Sequence, residues 1–265
     1  MNQKRGVLLL ALLLLLTACR GLGQTPPPPP FSPESLATAL ALTENAPPPG
    51  LETASFPQVD LGLKDLPGYR YVLELRFEGT YDHNLQPVGG TIRAEVWWDG
   101  NAPARRVVLA VEGEAFAAEA SRVEAVRIVD DYYVLAGAGR CLVNPDEALR
   151  AVADLDAGAL IGGVTAAPYG GVKAILNGEQ AYRYEVSATM ANLPAIHQRA
   201  GNPFGMVGEL WVAPQAGVVV RYYANADVAG VRLLDSTETV SGQLYIRYDV
   251  FDLGVVPNIS IPYGC

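Results

Sequence analysis

The chain has 265 residues, half of them hydrophobic, and a formal net charge of −9. About 200 residues follow the last proline cluster, which fits one domain on length priors and allows a sizeable core. A negative chain is a poor partner for nucleic acid and does not adhere to anionic lipid through basic patches, so we expect neither interaction.

The N-terminus carries a secretory signal over residues 1–18. Lys4 and Arg5 precede an apolar run at 6–16, too short to span a bilayer stably. The following Leu16-Thr17-Ala18-Cys19 resembles the lipobox of bacterial lipoproteins. The resemblance implies cleavage before Cys19, a diacylglycerol on its sulfur and usually a third acyl chain on the freed amine, enough for stable anchoring without spanning. The alternative is an ordinary signal peptide with an incidental cysteine.

Residues 19–64 are expected to form a tether. The polyproline run at 26–30 favours an extended, stiff chain, and a second proline cluster lies at 47–49. Between them, Ser32-Pro33-Glu34 has the pattern of a helix start, which allows one short helix. Cleavage at Cys19 would remove Lys4 and Arg5 and no acid, making the mature chain two charges more negative. We assign the folded domain to 65–265.

Two cysteines remain after Cys19, at Cys141 and at Cys265, the last residue. An even pair in an exported protein favours a structural disulfide, which would tie down a terminus that otherwise frays. The alternative is a redox or metal-binding pair, but there is no CxxC spacing and no histidine nearby.

Most of the domain has the period-2 alternation of antiparallel strands with one solvated face. In the first strand Tyr69, Tyr71, Leu73 and Leu75 alternate with polar residues. Strands are predicted at 69–77, 92–98, 107–111, 123–129, 132–136, 181–187, 208–213, 218–224 and 240–250.

One helix is predicted between the strands at 132–136 and 181–187, with Asn144 as N-cap, Pro145 in the first turn and Gly162-Gly163 at its end. A weaker helix is predicted at 169–176. Since so few helices cannot cover two sheets, we predict an α+β fold: one strongly curved antiparallel sheet whose concave face is closed by one or two helices.

The order of elements over 65–250, together with the lipobox and the proline tether, resembles the lipoprotein-localisation-factor and mycobacterial glycolipid-carrier families. The resemblance implies a half-open β-barrel with an apolar cavity that carries lipids or lipoproteins. No binding residue of those families can be matched here, and the Cys141/Cys265 pair is not assigned to them. The candidate cavity lining therefore comes from the alternation and the aromatic content: Leu73, Leu75, Phe77, Val96, Trp98, Leu109, Tyr184, Leu244, Ile246 and Tyr248. For the aromatic members the alternative is ordinary core packing.

The sequence offers no catalytic, metal or cofactor motif, and we expect a non-enzyme without a cofactor. His83 and His197 are isolated and in polar contexts. Asp130 and Asp131 are adjacent, so in a strand they would point to opposite faces; a turn is the simpler interpretation.

Two functions follow. The first is a monomeric, membrane-anchored envelope lipoprotein that binds or carries a hydrophobic ligand: a lipid, a glycolipid or the acyl chain of a lipoprotein. The second is a non-enzymatic structural lipoprotein with a filled core that docks a protein partner. The anchor would hold the chain at the outer face of the cell membrane, or in the outer membrane where one exists, since Arg20 is not the aspartate of the known retention signal.

Overall fold

The structure is a computed structural model that describes residues 46–116, 120–137, 139–198 and 204–265. These residues belong to one compact unit, Asn45–Cys265. The predictions for the signal peptide, for lipidation at Cys19 and for the polyproline tether with its short helix lie outside the described residues.

The described residues form fourteen strands and two α-helices. The strands are β1 (Thr53–Phe56), β2 (Gly68–Tyr81), β3 (Pro87–Asp99), β4 (Ala104–Glu112), β5 (Ser121–Ile128), β6 (Asp131–Ala136), β7 (Arg140–Val143), β8 (Gly163–Leu176), β9 (Glu179–Ser187), β10 (Ala191–Asn192), β11 (Ile196–Gln198), β12 (Phe204–Ala213), β13 (Val218–Leu233) and β14 (Val240–Phe251). The helices are α1 (Glu147–Ala153) and α2 (Ala157–Ile161), and a 3₁₀ turn spans Leu63–Asp65.

One antiparallel sheet contains all the strands, in the order β1-β8-β9-β12-β13-β14-β2-β3-β4-β5-β6-β7, with β10 beside β8 and β11 beside β13. The sheet is curved and not closed, which confirms the predicted α+β class with two helices. Its concave face is apolar: in β2, Tyr71, Leu73, Leu75 and Phe77 are almost fully buried, and the alternate positions Arg76 and Glu78 are exposed. The side-chain period of two in the sequence therefore identified this face correctly.

The predicted single helix is interrupted. Asp146, not Asn144, is the N-cap of α1, since its carboxylate accepts the N–H of Leu149 at 3.1 Å. Asn144 has a left-handed backbone (φ 46°) and its side chain accepts the N–H of Tyr132 at 2.8 Å. The chain leaves helical geometry at 154–156, where groups on the sheet bind it, and resumes in α2, which ends at Gly162 as predicted.

The second predicted helix, at 169–176, is wrong, because these residues belong to strand β8. Their pairing with β9 contains an irregularity between Tyr169 and Lys173, and this shift disguises the period-2 pattern. Gly171 lies within the irregularity with φ +72°, a conformation that favours glycine.

Two stretches pack over the concave face, and we call residues 51–66, which include the edge strand β1, and 147–161 together the cover. Val59, Leu63, Ala157 and Ile161 of the cover are at most 1% exposed and belong to the same apolar cluster as the concave face. Helix α1 adds Ala153, which is buried in a smaller cluster with residues of β5 and β6. The segment before residue 65 therefore contributes to the core.

The C-terminal segment, residues 252–265, lies on the opposite side of the sheet. Arg70, whose side chain is on the outer face of β2, bonds to Asp252 at 3.3 Å. Cys141 pairs in register with Leu135, on the face away from buried Val134, and forms a disulfide with Cys265. The cysteine pair inferred from the sequence is thus bonded in the structure, and it fastens the C-terminus to the outer face of β7.

None of the helices in the described ranges is both long enough and apolar enough to cross a membrane.

Candidate functional site

The predicted lining residues lie together on the concave face. The sheet register places Leu73, Ala94 and Leu109 on one rung, and Tyr184, Leu210, Tyr222 and Tyr248 on its continuation. Eight of the ten are at most 1% exposed: Leu73, Leu75, Phe77, Val96, Tyr184, Leu244, Ile246 and Tyr248. Trp98 and Leu109 are partly buried and pack against the same cluster.

Four fully buried tyrosines stand on this face, and their hydroxyls fall into two kinds. Tyr184 donates to the carbonyl oxygen of Leu51 at 2.7 Å, and Tyr71 donates to that of Leu155 at 2.9 Å, so both bind the backbone of the cover. The hydroxyls of Tyr222 and Tyr248 have no hydrogen-bond partner among the described residues. A buried polar group left without a partner costs about 1–3 kcal/mol, so the closed interior is not fully satisfied.

At one end of the concave face the apolar surface gives way to a polar rung. Cross-strand pairing aligns Tyr69, Trp98, Arg105, Arg127 and Tyr132 on β2 to β6. The next rung inward is Tyr71, Val96, Val107, Ala125 and Val134, which is apolar apart from one hydroxyl. The polar and apolar surfaces are therefore separated by only two residues along each strand.

The polar rung and the cover enclose a cleft of about 300 Å³. Its lining combines equal numbers of positive and negative side chains with three aromatic rings: Lys64, Arg105 and Arg127; Asp60, Asp154 and Asp156; Tyr69, Tyr71 and Trp98; and also Gln58 and Leu61. Tyr69 stacks on Trp98 with ring centroids 6.4 Å apart and on Tyr71 at 6.3 Å.

Arg105 is the one charged residue in the described chain that is buried, with 7% exposed. Its guanidinium donates to the carbonyl oxygen of Leu155, to the Tyr71 hydroxyl at 3.1 Å and to Asp156 Oδ1 at 3.2 Å. Burial opposes its charge, but Tyr71, Tyr69 and Asp156 raise the pKa of Arg105, so it stays protonated. Arg105 thus fastens the link between α1 and α2 to the sheet.

A second arginine holds the same link one residue earlier. Arg127 forms an ion pair with Asp154, and the Tyr132 hydroxyl donates to the other oxygen of Asp154 at 3.0 Å. Together the two arginines bind three consecutive residues, 154–156. Because residues 154–156 bond to these arginines and not within a helix, the one predicted helix is divided into two.

Asp60 joins the two parts of the cover. Its Oδ2 accepts the backbone N–H of Gly158 in α2 at 3.0 Å. Burial disfavours the charged carboxylate and raises the pKa of Asp60 above its ordinary value, and nearby Asp156 raises it further. Burial also raises the pKa of Tyr69 to about 12. In this cleft an ionised side chain therefore costs free energy unless an opposite charge or a hydrogen bond compensates it.

Of the polar rung, sequence reasoning named Trp98 as a lining residue but missed Arg105, Arg127 and their partners in the cover. Arg105 and Arg106 directly precede the strand predicted at 107–111, which in the structure begins at Ala104, and adjacent strand residues point to opposite faces. One of the two had to face inward, which was the available signal. Asp60, Asp154 and Asp156 gave no comparable sign, since only the folded chain brings them together.

Comparison with family models and with curated proteins finds no match to this chain. Among solved structures, a DUF1329 family protein from Desulfovibrio piger matches with 11% identity and a TM-score of 0.24, over 77% of this chain and 96% of its own. A LolA superfamily protein from Nitrosomonas europaea matches with 10% identity and the same TM-score, over 77% of this chain and 95% of its own. Likenesses this weak carry no argument about function.

Proposed function

We propose that this protein is an envelope lipoprotein that takes up a hydrophobic, acylated ligand on the concave face of its sheet when the cover moves away. Lipid on Cys19 would anchor it, and the proline-rich tether would hold the domain off the membrane, at the outer face of the cell membrane or in the outer membrane. The proposed protein acts as a monomer and performs no catalysis.

The observation that carries the proposal is how the cover is attached. It meets the sheet through an apolar contact and through polar bonds from Tyr71, Tyr184 and Arg105 to backbone carbonyl oxygens. Such bonds form and break without covalent change, and an apolar ligand can replace the apolar part of the cover on the concave face. The unpartnered hydroxyls of Tyr222 and Tyr248 lie deep in that surface and would gain from an oxygen-bearing ligand or from water.

Native mass spectrometry of residues 20–265, secreted without the anchor, tests the proposal. A bound lipid of defined mass that survives gentle desolvation supports a carrier. Hydrogen exchange should also show that 51–66 and 147–161 open more readily than the core strands β2, β13 and β14. An empty protein whose cover exchanges as slowly as those strands would instead support the filled structural lipoprotein.

A further inference from the structure

The polar cleft contains hydrogen-bond donors that the protein leaves unused. The Nε atoms of Arg105 and Arg127 and the Nε1 atom of Trp98 are buried and have no partner among the described residues, although all three side chains line the cleft. Each such donor costs free energy in the folded protein. A ligand that brings oxygen acceptors would satisfy them.

The same cleft also contains acceptors that would gain from donors. Asp60 accepts from Gly158 through one oxygen, and its burial beside Asp156 disfavours its charge. Asp156 is 65% exposed at its side chain, so it can reach a ligand as well as Arg105. The ligand should therefore both donate and accept hydrogen bonds.

Charge and shape restrict the ligand further. The three acidic and three basic side chains of the lining balance one another, and Arg105 and Arg127 already pair with Asp156 and Asp154, so a neutral ligand fits the cleft better than an anion or a cation. Trp98 is half-buried and its ring lines the cleft beside the polar groups, backed by the buried rings of Tyr69 and Tyr71. The volume of about 300 Å³ is at the lower end for small-molecule sites, suited to a ring and not to a long chain.

We propose that the cleft binds a sugar ring, which has an apolar C–H face and a rim of hydroxyls that donate and accept. The ring would stack on Trp98, with hydroxyl oxygens at the unused arginine and tryptophan N–H groups and hydroxyl protons directed to Asp60 and Asp156. The sugar is either a free saccharide or the headgroup of a membrane glycolipid. The site lies beside the apolar concave face, and because the cover supplies Asp60 and Asp156, the site is complete while the cover is closed and no acyl chain occupies the concave face.

Tryptophan fluorescence of the mature chain in phosphatidylcholine nanodiscs tests this. The chain has three tryptophans, so Trp97→Phe with Trp211→Phe leaves Trp98 as the reporter. One arm titrates methyl glycosides of glucose, galactose, mannose and N-acetylglucosamine. The other compares nanodiscs that contain glycosyl diacylglycerol with nanodiscs that contain plain diacylglycerol.

A saturable Trp98 response to a methyl glycoside establishes a site for free sugar, and a response to the glycosyl lipid alone assigns the site to a headgroup. In either case Asp156→Ala and Asp60→Asn should weaken binding about tenfold or more. Arg106→Gln, next to Arg105 but on the outer face, should leave it unchanged. Equal responses to glycosyl and plain diacylglycerol overturn the sugar site while supporting lipid uptake, and no response in either arm overturns the sugar site outright.

Discussion

Two segments lie across the same sheet on opposite sides, and they are fastened by different chemistry. The cover is attached to the concave face by apolar packing and by bonds from Tyr71, Tyr184 and Arg105 to backbone oxygens. The C-terminal segment is attached to the outer face by the covalent Cys141–Cys265 bond. The first attachment consists of non-covalent contacts, and the second includes a covalent bond. The contrast is what the proposed function requires, in which the concave side opens and the outer side stays fastened.

The largest expected effect concerns the permanent attachment. The disulfide closes a loop with a sequence separation of 124 residues. We therefore expect the Cys141→Ser/Cys265→Ser variant to lose about 2–5 kcal/mol of unfolding free energy, measured by urea denaturation. Hydrogen exchange in the cover should stay unchanged relative to the core strands. The reduced wild type is the matched control, and its unfolding free energy should equal that of the variant. Faster exchange in the cover alone, with the C-terminal segment unaffected, would contradict the distinction between the two attachments.

The reversible attachment should respond to a pair of neighbouring arginines. Arg105→Ala removes a charged donor from Leu155 and Asp156 and should lower stability by about 1.5–3 kcal/mol, with faster exchange at 147–161. Arg106 lies on the outer face, where it forms a 3.0 Å ion pair with Glu124 and lies over the ring of Trp97. Arg106→Ala should cost about 0–1 kcal/mol and leave exchange in the cover unaltered. If the two variants lose the same stability and show the same exchange in the cover, Arg105 does not hold the cover on the sheet.

The buried tyrosines should respond with opposite signs. Tyr184→Phe loses its bond to Leu51 and should destabilise by about 0.5–1.5 kcal/mol. Tyr222→Phe and Tyr248→Phe remove hydroxyls without partners, and each should leave stability unchanged or raise it by about 1 kcal/mol. Denaturation of the three variants at one pH measures this. A clear loss in the last two would mean that their hydroxyls already have partners.

The smallest effect is a pH dependence from Asp60. Because folding raises its pKa, its contribution to stability is fully present below the unfolded-state pKa and is lost as pH rises through the folded-state pKa. Asp60→Asn keeps an oxygen for Gly158 and removes this dependence. The unfolding free energy of the variant should therefore rise relative to that of the wild type as pH is raised from 3 to 7. A stability difference that is constant over this range, or of opposite slope, would contradict the assigned burial.

The fold was largely predictable because the information is local. Alternation in stretches such as 69–77 specifies both the strand and its buried face, and nothing elsewhere in the chain overrides it. The prediction of one continuous helix was wrong because its interruption depends on non-local contacts. Arg105 and Arg127 bind 154–156 from strands about 30 to 50 residues earlier in the sequence. Strand β8 failed because a glycine-containing irregularity breaks its period. The apolar candidates Leu73 and Tyr248 follow from the pattern, whereas the cleft depends on tertiary contact.

Under the proposed function, the concave face accepts an acyl chain when the cover opens. Titration of a fluorescent fatty-acyl probe into residues 20–265 of the wild type, Arg105→Ala and Arg106→Ala tests it most directly. We expect saturable binding by all three, with faster binding by Arg105→Ala and equal binding by the wild type and Arg106→Ala. Absence of saturable binding in the wild type and in the folded Arg105→Ala variant would contradict it.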